Sequence, residues 1–303
     1  MSLTILVFAK QVPDTANVTG KAMKDDGTVN RAALPAIFNP EDLNGLELAL
    51  DIKERFGAKV VVMTMGPPAA TAILRRALYI GADEAVLITD RKFAGADTLA
   101  TSYTLACAAK KYGAFDLVIC GRQAIDGDTA QVGPQVAEKL ALPQATYVES
   151  VEDIKVLKTK KTLRVKSLID GGHEVAEMPL PALLTVAGSA NIPRPPGARR
   201  VMQYKKAVTL SELQKLHGDR DYEDANQLAA DEERLRKRDL WIHEWSAADL
   251  GADMRRIGLS GSPTKVKEIE SVVLTGGDYE DIPATDEAIR GLVHDLIEDH
   301  ILS

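Results

Sequence analysis

The chain has 303 residues, 45% hydrophobic and 27% charged, a composition that excludes wholesale disorder. Lysine and arginine number 37 against 44 acidic residues, a formal charge of −7, so the basic footprint of a general nucleic-acid binder is missing. No apolar run approaches the roughly 18–20 residues of a membrane helix. Cys107 and Cys120, the 2 cysteines, cannot build a disulfide framework, and the 5 histidines hold no pair at ligand spacing. The N-terminal run Leu3–Ala9 lacks a basic region and a small-residue cleavage site. We therefore expect a cytoplasmic protein with no metal, no nucleic-acid partner and no membrane insertion.

Short β-branched runs alternate with longer amphipathic stretches through the first half. Thr4–Ala9, Lys59–Thr64, Glu84–Ile88 and Asp116–Cys120 read as buried strands. Between them, Glu41–Phe56, Ala69–Tyr79 and Asp97–Lys111 carry apolar residues at helical spacing, the first with Glu41 and Asp42 at its positive end. Strands spaced by helices predict an α/β protein with a doubly wound, mostly parallel sheet.

The rhythm changes near Leu142. Ala145–Ile154, Thr162–Ile169, Glu174–Glu177 and the apolar run Ala182–Val186, with a turn at Asp170-Gly171-Gly172, together predict an antiparallel addition at the sheet's edge. We place the end of the α/β domain near residue 190. Asn191–Thr209 holds Pro193, Pro195, Pro196 and Gly197 together with Arg194, Arg199, Arg200, Lys205 and Lys206 and no acid, which reads as an extended basic arm. Asp219–Asp239 is dense in both charge signs and reads as a solvated helix or loop. The expected organisation is thus 1–190, an arm with a charged insertion over 191–240, and a C-terminal segment over 241–303. That last segment ends in an amphipathic helix, Thr285–Leu302, expected to pack on a partner.

The chemistry-bearing segment is Gly121-Arg122-Gln123-Ala124-Ile125-Asp126-Gly127-Asp128-Thr129-Ala130-Gln131-Val132-Gly133-Pro134. It joins a predicted strand to a predicted helix, with Asp128 or Thr129 available as the cap. A glycine-rich strand–loop–helix connection offers backbone N–H groups and a helix dipole to an anion. In a parallel sheet this site lies at the carboxyl ends of the strands. Two acids, Asp126 and Asp128, sit beside the expected phosphate. We assign phosphate to backbone amides, Thr129 and Gln131, and a carboxylate to capping or to ribose hydroxyls. An ordinary capped connection explains the same local pattern. Ala9–Asp14, Met65–Pro68 and Phe38–Glu41 reach the same rim, with Asn39 a cap or an adenine partner. No nucleophile elbow is present, Cys120 reads as core, and His173 has no acid partner visible in sequence, so no side chain is assigned a catalytic role.

Through Lys10-Gln11-Val12-Pro13-Asp14, Phe38-Asn39-Pro40, Met65-Gly66-Pro67, Gly81-Ala82-Asp83, Gly121–Gly133 and the hairpin Val165–Pro181, the chain resembles the β subunit of electron transfer flavoproteins over nearly its whole length. The resemblance implies a heterodimer with an α subunit and an FAD at their interface. It also implies an adenine nucleotide in the β subunit, lined by Phe8, Ala9, Asn39, Pro40, Met65, Gly66, Gly121, Arg122, Gln123, Ala124, Ile125, Asp126, Gly127, Asp128, Thr129, Ala130, Gln131 and Val132. Many members hold AMP there, whereas members that bifurcate electrons hold a second FAD and accept electrons from NADH. The AMP-holding branch commonly has an acid where this chain has Gly127, so the resemblance points to the bifurcating branch and a second FAD, with AMP as the alternative.

The family's docking loop falls at Pro193–Met202, which implies partner contacts at Arg194, Ala198, Arg199 and Arg200. A leucine often anchors an acyl-CoA dehydrogenase there. Ala198 in its place lacks most of that apolar area. The implied redox partner is a dehydrogenase or a quinone-linked oxidoreductase. A stand-alone adenine-nucleotide sensor is the competing reading from another class, since the same sheet serves unrelated functions.

Overall fold

The computed structural model describes residues 3–14, 34–156, 160–218, 225–264 and 282–298. In chain order the strands are β1 (Leu3–Phe8), β2 (Gln11–Pro13), β3 (Ala36–Phe38), β4 (Ala58–Met65), β5 (Glu84–Ile88), β6 (Leu117–Gly121), β7 (Gln144–Val156), β8 (Lys161–Ile169), β9 (Gly172–Pro179), β10 (Ala182–Val186) and β11 (His243–Trp245). The helices are α1 (Pro40–Phe56), α2 (Thr71–Ile80), α3 (Thr98–Tyr112), α4 (Val132–Leu140), α5 (Ala198–Tyr204), α6 (Leu210–Gly218), α7 (Ala225–Lys237) and α8 (Asp286–Glu298). The chain divides into a large unit, Met1–Asn17 with Leu34–Lys267, and a small one, Val18–Ala33 with Glu268–Ser303.

The large unit is built on a nine-stranded sheet in the order β11-β5-β4-β1-β6-β10-β7-β8-β9. β1 pairs in parallel with β4 on one side and β6 on the other. Successive side chains along a strand face opposite ways, and the burial follows. Ile5, Val7, Val60 and Val62 join the core under α1 and α2, while Leu6, Phe8, Val61 and Met63 join the one under α3 and α4. Helices on both faces bury every central strand twice over, which is why these runs carry no polar alternation. The chain winds outward from β1 through β4 to β5, then crosses by α3 to β6, so the topological switch point lies between β1 and β6.

The helix ends follow local chemistry. α1 has a proline in its first turn, Glu41 and Asp42 at its positive end, Lys53 and Arg55 at its negative end, and Gly57 in the left-handed region at φ 71° as its cap. α3 starts on Asp97, whose side chain accepts from the Ala100 amide at 2.9 Å. The expected strands and helices of the first half are present, with ends moved by one or two residues.

The antiparallel edge is β7, β8 and β9, with Asp170 and Gly171 turning the last hairpin and Gly171 at φ 77°. Here the structure corrects one expectation. Ala182–Val186 does not belong to that edge addition: as β10 it is inserted between β6 and β7 and runs parallel to both. All five of its residues are buried, as a continuous apolar run in the sheet interior requires.

The stretch from Asn191 is bonded along its length to α1 and α2. Asn191 and Asn44 exchange hydrogen bonds, Arg194 meets Glu47 and Glu54, and the Gly197 amide donates to Tyr79 O at 3.1 Å. Arg200 donates to the carbonyl of Leu78, left over in the last turn of α2, and to that of Ala82 just past it. The charged stretch forms α7, laced by pairs such as Arg236–Glu232 and Lys237–Glu233; residues 219–224 lie outside the described residues. In the small unit, α8 realises the expected amphipathic helix and exposes Ile289, Leu292 and Val293; residues 299–302 of that expectation lie outside the described ones.

Candidate functional site

At the carboxyl ends of β1, β4 and β6 the switch point opens into a cavity of about 400 Å³. Phe8, Met65, Phe93, Leu105 and Cys120 give it apolar surface. Residues 121–124 and 126–133 form one wall, and Gly95–Thr98 with Thr101 another.

The wall loop is anchored by three side chains from the start of α1. Asp42 Oδ1 accepts from the Gly121 amide at 3.1 Å, while its Oδ2 accepts from the Lys10 amide at 2.8 Å. One carboxylate thus ties together the ends of β6 and β1. Burial pushes the Asp42 carboxyl up to about 7, against the pull of those hydrogen bonds. Glu41 takes the Arg122 guanidinium through Nε and Nη2, at 3.1 and 2.7 Å, and also accepts from the Gln123 amide. Asn39, fully buried, donates to Gln123 O at 2.8 Å and accepts from the Ile125 amide at 3.1 Å.

Beyond Ile125 the loop makes its own turn. The amides of Gly127 and Asp128 both donate to Ala124 O, and Gln123 Nε2 donates to Asp128 Oδ1 at 2.8 Å. Asp128 and Ala130 hold φ values of 47° and 51°, left-handed conformations that non-glycine residues seldom adopt. Among the described residues, no acceptor bonds the amides of Thr129, Ala130 or Gln131. Two glycines here are required by packing. A Cβ on Gly121 would stand 2.6 Å from Asp42 Oδ1, and one on Gly133 would stand 2.5 Å from Thr185. At Gly127 a Cβ would meet nothing within 4 Å, so an alanine there would touch no other part of the chain.

The structure brings Phe8, Ala9, Met65, Gly121, Arg122, Gln123, Ala124, Asp126, Gly127, Asp128, Thr129, Ala130, Gln131 and Val132 to the cavity. Asn39, Pro40, Gly66 and Ile125 stand outside its lining. Asn39 occupies the cap position of α1 but makes no cap bond; its amide group serves the loop backbone instead. Pro40 opens α1, and the Gly66 amide is bonded to Ile88 O at 3.1 Å. Neither Asp128 nor Thr129 caps α4, because the helix starts only at Val132 and its cap position is Gln131.

Sequence reasoning missed the second wall and the cation. Asp97 was legible as an α3 cap, and its place at the end of the β5 crossover was the available signal. Its carboxylate also accepts from the Thr264 amide and hydroxyl, at 3.1 and 2.6 Å. Lys10 was visible only as part of a motif; its ammonium reaches both oxygens of Asp126 at 2.7 Å. Cys120 lines the cavity as a protonated thiol, since burial, with Asp42 beside it, raises it far above its ordinary range. His173 on β9 does have an acid neighbour, Glu149 of β7, which it reaches past β8 at 2.9 Å.

Of the expected docking residues, Arg194 and Arg200 are held inside the chain. Ala198 and Arg199 are exposed at the start of α5, near Ile192 and Met202, which are 93% and 65% exposed.

Sheet order, switch-point cavity and glycine loop define a doubly wound α/β protein with an open cavity at the carboxyl edge of its sheet. Comparison with known proteins makes this specific. Residues 26–211 match the electron transfer flavoprotein domain. The chain is 42% identical to the electron transfer flavoprotein subunit beta of Clostridium acetobutylicum, over 99% of this chain and all of that protein. It is 42% identical to the caffeyl-CoA reductase-Etf complex subunit CarD of Acetobacterium woodii, over 99% and 100% of the two chains. It is 39% identical to the protein FixA of Bradyrhizobium diazoefficiens, over 87% and 81%. The chain belongs to the electron transfer flavoprotein family, among its β subunits, which pair with α subunits and work in electron transfer. No helix among the described residues is long and apolar enough to cross a membrane.

Proposed function

We propose that the cavity holds an adenine nucleotide, a second FAD in preference to AMP, and that the chain passes electrons between dehydrogenase-type partners in an NADH-dependent, bifurcating complex. The observation that carries this reading is the wall at Gly127: the protein leaves open space where a side chain would stand, directly beside amides that bond no protein acceptor.

The residues present suit such a ligand. Phe8, Met65, Phe93 and Leu105 offer an apolar bed for a flat ring, and Thr129–Val132 offer backbone donors for a pyrophosphate. A bound flavin supplies the redox chemistry. The chain's own part is to bind, orient and exclude water, and no side chain need act as acid or base. Asp42, Glu41 and Asn39 keep the loop in place from behind.

The partner reading draws on the name of the Acetobacterium woodii relative, which places that protein in a complex with a caffeyl-CoA reductase. A CoA-thioester reductase or dehydrogenase is the proposed partner here. Exposed Ala198 and Arg199 point to docking by charge more than by an apolar anchor. Residues 241–303 are proposed to pack on the α subunit, with 1–190 as the nucleotide-binding domain and 191–240 as its basic arm and charged insertion.

The test is to co-express the chain with its α subunit, extract and count the ligands, and add NADH without oxygen. Two FAD per heterodimer and bleaching by NADH are expected. One FAD with one AMP would replace the second flavin by a structural nucleotide. A stable monomer without flavin would favour the sensor reading.

A further inference from the structure

The charged groups of the cavity leave a phosphate little to bind. Four carboxylates line it: Asp42, Asp97, Asp126 and Asp128. Two cations do, Lys10 and Arg122 among the described residues. Arg122 is gripped by Glu41 through two nitrogens and lies 5.6 Å over the Tyr147 ring, so its fork is already satisfied. Asp42, Asp97 and Asp128 likewise have their own donors. Lys10 differs. Its side chain is half exposed, and its ammonium contacts both oxygens of Asp126, itself 22% exposed.

The backbones at both ends of this pair are fixed. Lys10 is bonded through its amide to Asp42, and Ile125, beside Asp126, is bonded through its amide to Asn39. What can move is the long lysine stem. An exposed lysine–carboxylate pair contributes little to stability. The monoester of AMP carries nearly twice the charge of a carboxylate and three acceptor oxygens, and the pyrophosphate of an FAD sets two single charges side by side. Exchange of the carboxylate for a phosphate is therefore favoured wherever a phosphate enters the cavity.

We propose, on the nucleotide reading given above, that Lys10 is the phosphate-recognising cation of this cavity and that Asp126 is the internal anion it gives up for the ligand's phosphate. This also accounts for an acidic residue in an anion-binding loop: Asp126 keeps the ammonium aimed at the site.

The test uses the full chain in complex with its α subunit, freed of bound nucleotide, with AMP and adenosine as probes in calorimetric titration. Lys10→Met is expected to weaken AMP by about tenfold or more while moving adenosine by less than about twofold, since only AMP carries the charged acceptor. Lys10→Arg retains most of the AMP affinity. Asp126→Asn tightens AMP relative to adenosine, because the competing anion is gone. Adenosine binding by Lys10→Met shows that this variant is folded. If adenosine binds too weakly to titrate, AMP affinity against salt is read instead: it falls with salt in the natural protein and flattens in Lys10→Met. Equal shifts for both probes, no shift for either, or equal salt slopes would overturn the proposal. Failure of the natural protein to bind AMP, FAD or adenosine at all would instead remove the nucleotide reading on which it rests.

Discussion

The Gly121 amide donates to Asp42 Oδ1 at 3.1 Å, and a Cβ built on Gly121 would lie 2.6 Å from that same oxygen and from the Glu41 carbonyl carbon. The end of β6 and the first turn of α1 are in contact at the limit that atoms allow.

Gly121→Ala should therefore force α1 away from β6. Overpacking of this kind costs about 1–3 kcal/mol, which urea unfolding would register, and nucleotide binding should fall with it. Gly127→Ala supplies the contrast. Its methyl would meet nothing within 4 Å of the protein, so stability should stay unchanged while affinity for the bound nucleotide drops.

Asp42 links stability to pH. Its folded-state value of about 7 lies above the ordinary 3.8, with burial as the cause. A carboxyl raised in this way contributes stability that is complete below about 3.8 and is lost as pH rises toward 7, because the unfolded chain ionises first. Asp42→Asn cannot ionise, and the other carboxylates cancel in the comparison. The variant should thus gain on the natural protein between pH 4 and pH 8, by roughly 4 kcal/mol at about 1.36 kcal/mol per pKa unit. Urea midpoints at several pH values measure it, and a pH-independent difference would count against a raised Asp42.

Asn39→Ala leaves the Gln123 carbonyl and the Ile125 amide without their buried partner. An unsatisfied buried group costs about 1–3 kcal/mol. Amide exchange at Ile125 should accelerate and nucleotide affinity should fall, although Asn39 does not line the cavity. Unchanged exchange at Ile125 would show that the loop holds itself.

The stretch after Asn191 separates two roles. Arg194→Ala breaks the contacts to Glu47 and Glu54 and should make this stretch more sensitive to protease, with a stability loss of only about 1 kcal/mol given its partial exposure. Arg199→Glu should leave folding and nucleotide content alone. It should slow electron delivery to the redox partner, most visibly at low salt.

Much of this was readable along the chain. Val60, Val61, Val62 and Met63 announce a strand buried on both faces, and Gly121–Gly133 announces a glycine-rich strand–loop–helix connection at the sheet's rim, because each signal is carried by neighbours in sequence. β10 was harder. Its five buried residues look the same whether the strand lies at an edge or in the interior, and only pairing with β6 and β7 decides. Asn39 misled for a related reason: its type and position suit a helix cap, but its amide group meets a loop more than 80 residues away in the chain.

The class of fold, the place of the glycine-rich loop at a strand end, and the family can all be read along the chain, since these follow from local periodicity and contiguous motifs. Tertiary structure alone decided which groups face the cavity: the Asp97 wall, the Lys10–Asp126 pair and the buried Asp42 tie. Those contacts join segments distant in the chain, and their energies come from desolvation and distance, which no spacing along a sequence encodes.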